Sequence, residues 1–186
     1  MNLSTRKITV IALSLFLVIG LPILLLFLSN TISSEHPRVG KEIHFPFLDN
    51  ADSEIQILFI GFVGCESVCP SSLAKLATIA KIEDIPPFEA TFIDIRSNEE
   101  WVTANEYAQN FSFAIRGIHA DSELRSLLRK NLGVHFSEYY TRLSQIRHSD
   151  DFFVLKKTSQ NTWIIADILS NNSSIDTINK SLKRQL

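Results

Sequence analysis

Gly61-Phe62-Val63-Gly64-Cys65-Glu66-Ser67-Val68-Cys69-Pro70 holds both cysteines of the chain. Upstream, Ile55-Gln56-Ile57-Leu58-Phe59-Ile60 is short, apolar and β-branched, the pattern of a buried strand. Downstream, Leu73, Leu76, Ala77 and Ala80 recur at helical spacing, and Pro70 suits the first helical position. The stretch therefore predicts two thiols at the end of a buried strand, on the turn that opens a helix. A helix N-terminus favours thiolate, the form that binds metal or attacks a disulfide. Were the first helical turn to reach back to Cys65, an i,i+4 spacing would put both sulfurs on one face. Two soft thiolates so placed suit Cu(I). A dithiol–disulfide couple fits the same geometry, although two intervening residues, not three, mark the thioredoxin-type redox motif. A pair of cysteines that merely pack in the core, or form a permanent disulfide, is the remaining alternative.

Outward from this stretch, the N-terminus carries a different signal. Arg6 and Lys7 precede an uncharged apolar run from Ile8 to Leu28. A membrane span needs about 20 apolar residues, and a cleaved signal peptide has an apolar region of only about 7–15. Residues 1–29 are thus expected to be a cytoplasmic stub and an uncleaved transmembrane anchor. Residues 30–38 are expected to be a polar tether, and 39–186 a single domain. The two basic residues keep the N-terminus cytoplasmic, so the domain is expected across the membrane, in a bacterial periplasm or an equivalent space. That space is oxidising, so a metal-binding dithiol there must be kept reduced. The chain has a formal net charge of -2 and no basic run after the anchor, which argues against a nucleic-acid partner.

The rest of the domain reads as alternating elements. Val39–Leu48 is expected to be extended, with Ile43, Phe45 and Phe47 alternating. The helix after Pro70 is expected to end near Glu83-Asp84, before Pro86-Pro87. Ala90–Ile95 follows as a strand parallel to the cysteine strand, with Asp94 at its carboxyl end, on the edge where open α/β sheets place their sites. Asp94 could serve the site or simply be a turn carboxylate. Ser97-Asn98-Glu99-Glu100 has the form of a capping box before a helix with Trp101, Ala104, Ala108 and Phe111 on one face. Phe113–Ile118 is extended. Asp121 or Ser122 caps a helix with Leu124, Leu127 and Leu128 buried, ending at Asn131-Leu132-Gly133. Phe136–Arg147 is a polar loop. Phe152–Leu155 and Thr162–Ile168 form a hairpin, and Ile175, Ile178, Leu182 and Leu186 mark a closing amphipathic helix. His36 and His44 are read as polar surface residues; His119 and His135 flank the helix capped at Asp121 or Ser122 and could approach the site, but are read as exposed or hydrogen-bonded imidazoles.

Strand, Gly-Phe-x-x-Cys-x-x-x-Cys-Pro, helix, and a late His148-Ser149 before a strand resemble the Sco (SenC) family, from about Lys41 onward. The resemblance implies a thioredoxin-like α/β fold behind an N-terminal transmembrane helix. It implies copper as the bound metal, Cu(I) with Cu(II) also open, held by Cys65, Cys69 and His148. It implies a role in assembling the copper centre of cytochrome c oxidase, with that enzyme's copper-binding subunit or another copper chaperone as partner. The alternative is a periplasmic thiol–disulfide oxidoreductase, with Cys65 attacking and Cys69 resolving. A peroxiredoxin is disfavoured, because Phe62 stands where the required Thr would be. The chain departs from the family pattern in several places. Glu66-Ser67 replaces a typical Pro-Asp between the cysteines, and Asp94-Ile95-Arg96 lacks the proline of Asp-Pro-x-Arg. His119-Ala120 stands near the usual Thr-Gly, and the hairpin turn differs. Glu66 would oppose a thiolate on Cys65 unless it points to solvent.

Overall fold

The computed structural model describes residues 14–23, 36–96, 102–136 and 148–185, and the chain divides into two units, Met1–Glu35 and His36–Leu186. In the first unit, residues 14–23 are helical and expose Leu15, Phe16, Val18 and Ile19. Most of the expected Ile8–Leu28 anchor lies outside the described residues. Among those described, no helix is long and apolar enough to cross a membrane.

In the second unit, Ile55–Gly61 is a strand (β2) in which every residue is buried. A run apolar on both faces needs covering on both, so it takes the interior of a sheet. Its neighbours are Glu89–Asp94 (β3), parallel, with Gly61 opposite Asp94, and Phe152–Lys157 (β5), antiparallel, with Phe59 opposite Phe152. Adding Glu42–Ile43 (β1), Ile115–His119 (β4) and Trp163–Leu169 (β6) gives one six-stranded sheet of order β1-β6-β5-β2-β3-β4. β4 lies parallel to β3, and β5 and β6 form the expected hairpin. The helices are Val68–Ile79 (α1), Ala104–Gln109 (α2), Ser122–Leu132 (α3) and Ile175–Lys183 (α4). A parallel β2-α1-β3 unit followed by an antiparallel hairpin and a last helix is the thioredoxin-like arrangement. The carboxyl ends of β2, β3 and β4 and the start of β5 share one edge of the sheet.

Several boundaries differ from the sequence reading, each for a local reason. α1 begins at Val68, so Pro70 is its third residue. The first-turn N–H groups have no intrahelical acceptor, so a proline there removes nothing. α1 ends at Ile79, and residues 80–85 turn before Pro86-Pro87. The expected Val39–Leu48 strand shrinks to Glu42–Ile43, because Pro46 opens a 3-10 turn, Pro46–Leu48. Phe45 and Phe47 then do not alternate but stack, with centroids 5.4 Å apart. The Ser97–Glu100 box and Trp101 lie outside the described residues. The helix carrying Ala104 and Ala108 starts later, at a capping box formed by Thr103, whose backbone is extended, and Glu106. α3 follows expectation in its start and end, but of Leu124, Leu127 and Leu128 only Leu128 is fully buried. Asp121 Oδ1 accepts from Leu124 N at 2.8 Å, and Gly133 ends the helix at φ 67°, the left-handed conformation that favours glycine. In α4, Ser174 caps the start, and Ile178 and Leu182 are buried.

α2 sits close against β4. A Cβ on Gly117 would meet the carbonyl oxygen of Ala104 at 2.0 Å, and Gly117 N donates to Asn105 Oδ1 at 3.1 Å. Backbone cannot yield as a flexible side chain would. Gly117→Ala should therefore lower stability by roughly 1–3 kcal/mol or more, read as a lower urea midpoint at unchanged slope; an unchanged midpoint would mean that α2 does not press on β4.

Candidate metal centre

The cysteine turn is built by the end of β2. Cys65 N donates to Phe62 O at 3.2 Å, and Gly64 takes φ 87° to turn the chain back. Gly61 is required for another reason: a Cβ there would lie 2.7 Å from Cys69 Sγ and 3.0 Å from the Phe92 ring. The turn is held from below by Asp94, which has no exposure. Its Oδ1 accepts from Val63 N at 3.3 Å and from Arg96 N at 3.2 Å. Its Oδ2 accepts from Arg96 Nε at 2.8 Å and lies 2.8 Å from Arg96 Nη2. Asp94 thus acts as a buried bracket for the turn. His119 Nδ1 approaches the same oxygen only to 3.6 Å.

Both cysteines are free and buried. Because α1 starts at Val68, they do not share a helix face as i and i+4. The turn brings the sulfurs together instead, with Cys65 facing the helix N-terminus and Cys69 inside its first turn. Ser67 occupies the N-cap position, yet its side chain makes no capping bond. A capping serine commonly accepts from the third helical N–H, and here that residue is Pro70. The freed hydroxyl stands 3.7 Å from Cys65 Sγ.

The two thiols are consequently unequal. Burial pushes Cys65 up, but the Cys69 thiol, the main-chain N–H groups of Cys69 and Ser67, and the Ser67 hydroxyl outweigh it and hold Cys65 below its ordinary value. Cys69 is pushed far up, first by burial and then by hydrogen bonding to Cys65. Cys69 therefore holds its proton more firmly than Cys65, which is the readier of the two to form a thiolate. Glu66 is exposed and is not among the groups that act on Cys65. Tyr107 packs against Phe92 with ring centroids 5.4 Å apart and planes tilted at 43°, and donates to Cys65 O at 3.5 Å. Burial, then the nearby Cys69 and Cys65, push its hydroxyl up to about 12.

His148 arrives from the other side. Its backbone bridges Phe136, while Ser149 N donates to His135 O at 2.9 Å and His135 N donates to Ser149 Oγ at 3.1 Å. The imidazole stands edge-on to Phe62, with centroids 5.7 Å apart and planes at 86°. Its Nδ1 lies 2.9 Å from Ser149 O. A carbonyl only accepts, so Nδ1 carries the proton and Nε2 keeps a free lone pair. The ligating atoms of Cys65, Cys69 and His148 all lie within 4.8 Å of one another. Three donors spread around one ion at about 2.0–2.3 Å stand roughly 3.5–4.0 Å apart, so the trio must draw in by up to about 1 Å to close on a single ion. Among the described residues no other group of three His, Cys, Asp or Glu side chains does this.

His36, His44 and His135 are exposed, and none joins the trio. Residues 137–147, nearly all of the expected Phe136–Arg147 loop, lie outside the described residues. A pocket of about 290 Å³, lined by Ile43, His44, Lys157 and Trp163 among others, sits at the opposite end of the sheet. Ser67, Phe62 and Tyr107 are site residues that the sequence reading did not find. Only the Ser67–Pro70 spacing carried a local signal, namely a cap residue whose usual donor is missing.

The SCO1/SenC family model matches residues 48–185. The mitochondrial SCO2 homolog of Bos taurus is 23% identical over 138 residues, covering 70% of this chain and 50% of that protein. The chain thus spans about half the length of the curated relative it matches. Among solved structures, apo Sco1 from Thermus thermophilus superposes with a TM-score of 0.59 at 21% identity, over 78% of this chain and 89% of that one. Copper-bound ScoI of Arabidopsis thaliana gives 0.57 at 19% identity, over 72% and 84%. At these identities the structural likeness is one of fold.

The thiol asymmetry has a measurable sign. Cys69 in the native state keeps a proton that the unfolded chain releases around its ordinary value of 9.0. Its contribution is complete below that pH and is lost as pH rises above it. Cys65, lowered, contributes in the opposite sense: fully above its ordinary value, and progressively less as pH falls through the lowered one. The reduced, metal-free protein should lose stability from about pH 9 upward, measured by urea unfolding. Cys69→Ala should flatten that decline; an equally steep decline in the variant would refute the assignment.

Proposed function

The chain belongs to the SCO1/SenC family, and from that premise we propose that it is a copper(I)-binding chaperone serving assembly of the copper centre of cytochrome c oxidase. The observation that carries the reading is the convergence of two sulfurs and one imidazole nitrogen within 4.8 Å. Two soft sulfurs and one nitrogen select copper over harder ions, and His148 offers Nε2 because Ser149 O holds the proton on Nδ1. Three protein donors leave room for a donor from the recipient. Copper is cargo here, so the site must both hold and release it. Binding requires both thiols deprotonated, and the cost is unequal: Cys65 is held below its ordinary value and ionises the more readily, whereas Cys69 must give up its buried proton. Affinity should therefore fall with acid, and a Cys65–Cys69 disulfide would remove two donors at once. We place the domain in the bacterial periplasm, tethered to the inner membrane by the apolar run Ile8–Leu28, with an oxidase copper-binding subunit or another copper chaperone as partner.

A second reading is favoured by the thiol asymmetry. A thiolate on Cys65 beside a protonated Cys69 suits attack on a client disulfide, followed by resolution of the mixed disulfide by Cys69. The protein would then be a thiol–disulfide oxidoreductase for the cysteines of a copper-binding client, and His148 would be dispensable.

An anaerobic Cu(I) competition titration on the reduced full chain in detergent separates the two readings. The chaperone reading expects one tightly held Cu(I), near-complete loss in Cys65→Ser and Cys69→Ser, and a loss in His148→Ala exceeding the about 10–100-fold that an outer partner is worth. No copper retention against a moderate chelator, or wild-type affinity in His148→Ala, would remove the three-donor site and favour the redox role.

A further inference from the structure

The halves of the site ride on segments far apart in sequence. Cys69 sits in the first turn of α1, and His148 on the stretch leading into β5. The Phe136 and His135 contacts brace His148 from the end of α3, and fix nothing relative to α1. A different set of contacts spans that gap. Lys75, on α1 and half-buried, donates its ammonium to the main-chain carbonyls of Asn171 and, at 3.2 Å, Ser173. Both belong to the loop between β6 and α4. Asn171 then donates its side-chain amide to Asp150 Oδ2 at 2.8 Å, two residues beyond His148.

We propose that Lys75, Asn171 and Asp150 are positioning residues of the metal centre, a relay that fixes the His148 segment against the cysteine-bearing helix. The proposal rests on the three-donor reading above. The physical case is one of strength and economy. Ordering a lysine costs more side-chain entropy than ordering almost any other residue, and bonds made by an ionised donor are about twice as strong as neutral ones. Such an anchor holds the 171–173 loop firmly enough for the Asn171 amide to locate Asp150. Without the relay, the segment would keep its α3-side bracing and the pairing of β5 with β2 that follows it, but lose this side-chain tie to α1. The His148 ring would then be free to leave the edge of Phe62.

The test uses the full chain in detergent, with ¹⁵N-labelled histidine, as Lys75→Met, Lys75→Arg and Asn171→Ala. In the reduced, metal-free protein, the His148 imidazole signals, identified by their loss in His148→Ala, should move or broaden in Lys75→Met and Asn171→Ala. They should return in Lys75→Arg, while the His44 signals stay fixed throughout. Cu(I) affinity should fall about 10–100-fold in the first two variants. Lys75→Met combined with His148→Ala should lose no more than His148→Ala alone, because positioning an absent ligand is worth nothing. Unmoved His148 signals in both variants, or additive losses in the double variant, would overturn the relay. If wild type holds no Cu(I), the three-donor reading fails, and the metal-free His148 signals still decide whether the relay exists. Should Lys75→Met not fold, Asn171→Ala carries the same comparison.

Discussion

The buried carboxylate of Asp94 is the constraint on which the site edge depends. A charge with no exposure is costly unless it is paired and fully hydrogen-bonded. Asp94 meets both conditions, with the Arg96 guanidinium on one oxygen and main-chain N–H groups of Arg96 and Val63 on the other. Such a pair is not a net source of stability over an apolar equivalent, but breaking it costs about 3–5 kcal/mol by leaving a lone buried charge. What the arrangement secures is geometry. The Val63 bond ties the cysteine turn to the end of β3, and the continuing ladder from Ile95 N to Gly61 O at 2.9 Å and Ala120 N to Asp94 O at 2.8 Å keeps β2, β3 and β4 in register at this edge.

On that platform, a proline and a glycine divide the labour between the sulfurs. Gly61 leaves the space that Cys69 Sγ occupies, so Cys69 is fully buried and keeps its proton. Pro70 removes the donor that Ser67 would ordinarily cap, and the serine hydroxyl turns to Cys65. Cys65 itself accepts from the N–H groups at the start of α1, taking the part of the missing cap. One substituted pair, Glu66-Ser67, thereby proves compatible with a thiolate: the carboxylate faces water, and the hydroxyl supplies a neutral hydrogen bond.

His148 depends on long-range support of a different kind. Phe62, from the cysteine turn itself, presses on its ring, while a β-bridge to Phe136 and the His135–Ser149 pair brace its backbone. Phe136 is in turn covered by the Arg129 guanidinium at 4.1 Å from its ring. His148 is thus placed by the end of α3 and by the turn carrying Cys65, elements that meet only in the folded domain.

The sequence by itself determined the central strand, the parallel unit around the cysteine turn, the late hairpin and the closing helix. Those follow from burial periods and turn chemistry, which are local. It also identified both cysteines, because a thiol pair at a strand–helix turn is legible in ten residues, whereas His148 was picked out by resemblance. Where local signals competed, only the tertiary structure decided. The sequence reading put no helix start at Thr103, and packing against Gly117 goes with the capping box that Thr103 and Glu106 form. A strand pattern ran to Leu48, and Pro46 ended it. The direction of Glu66, the bracket role of Asp94 and the meeting of three donors were likewise undetermined. Each depends on which distant backbone groups come within bonding distance, and spacing along the chain carries no record of that.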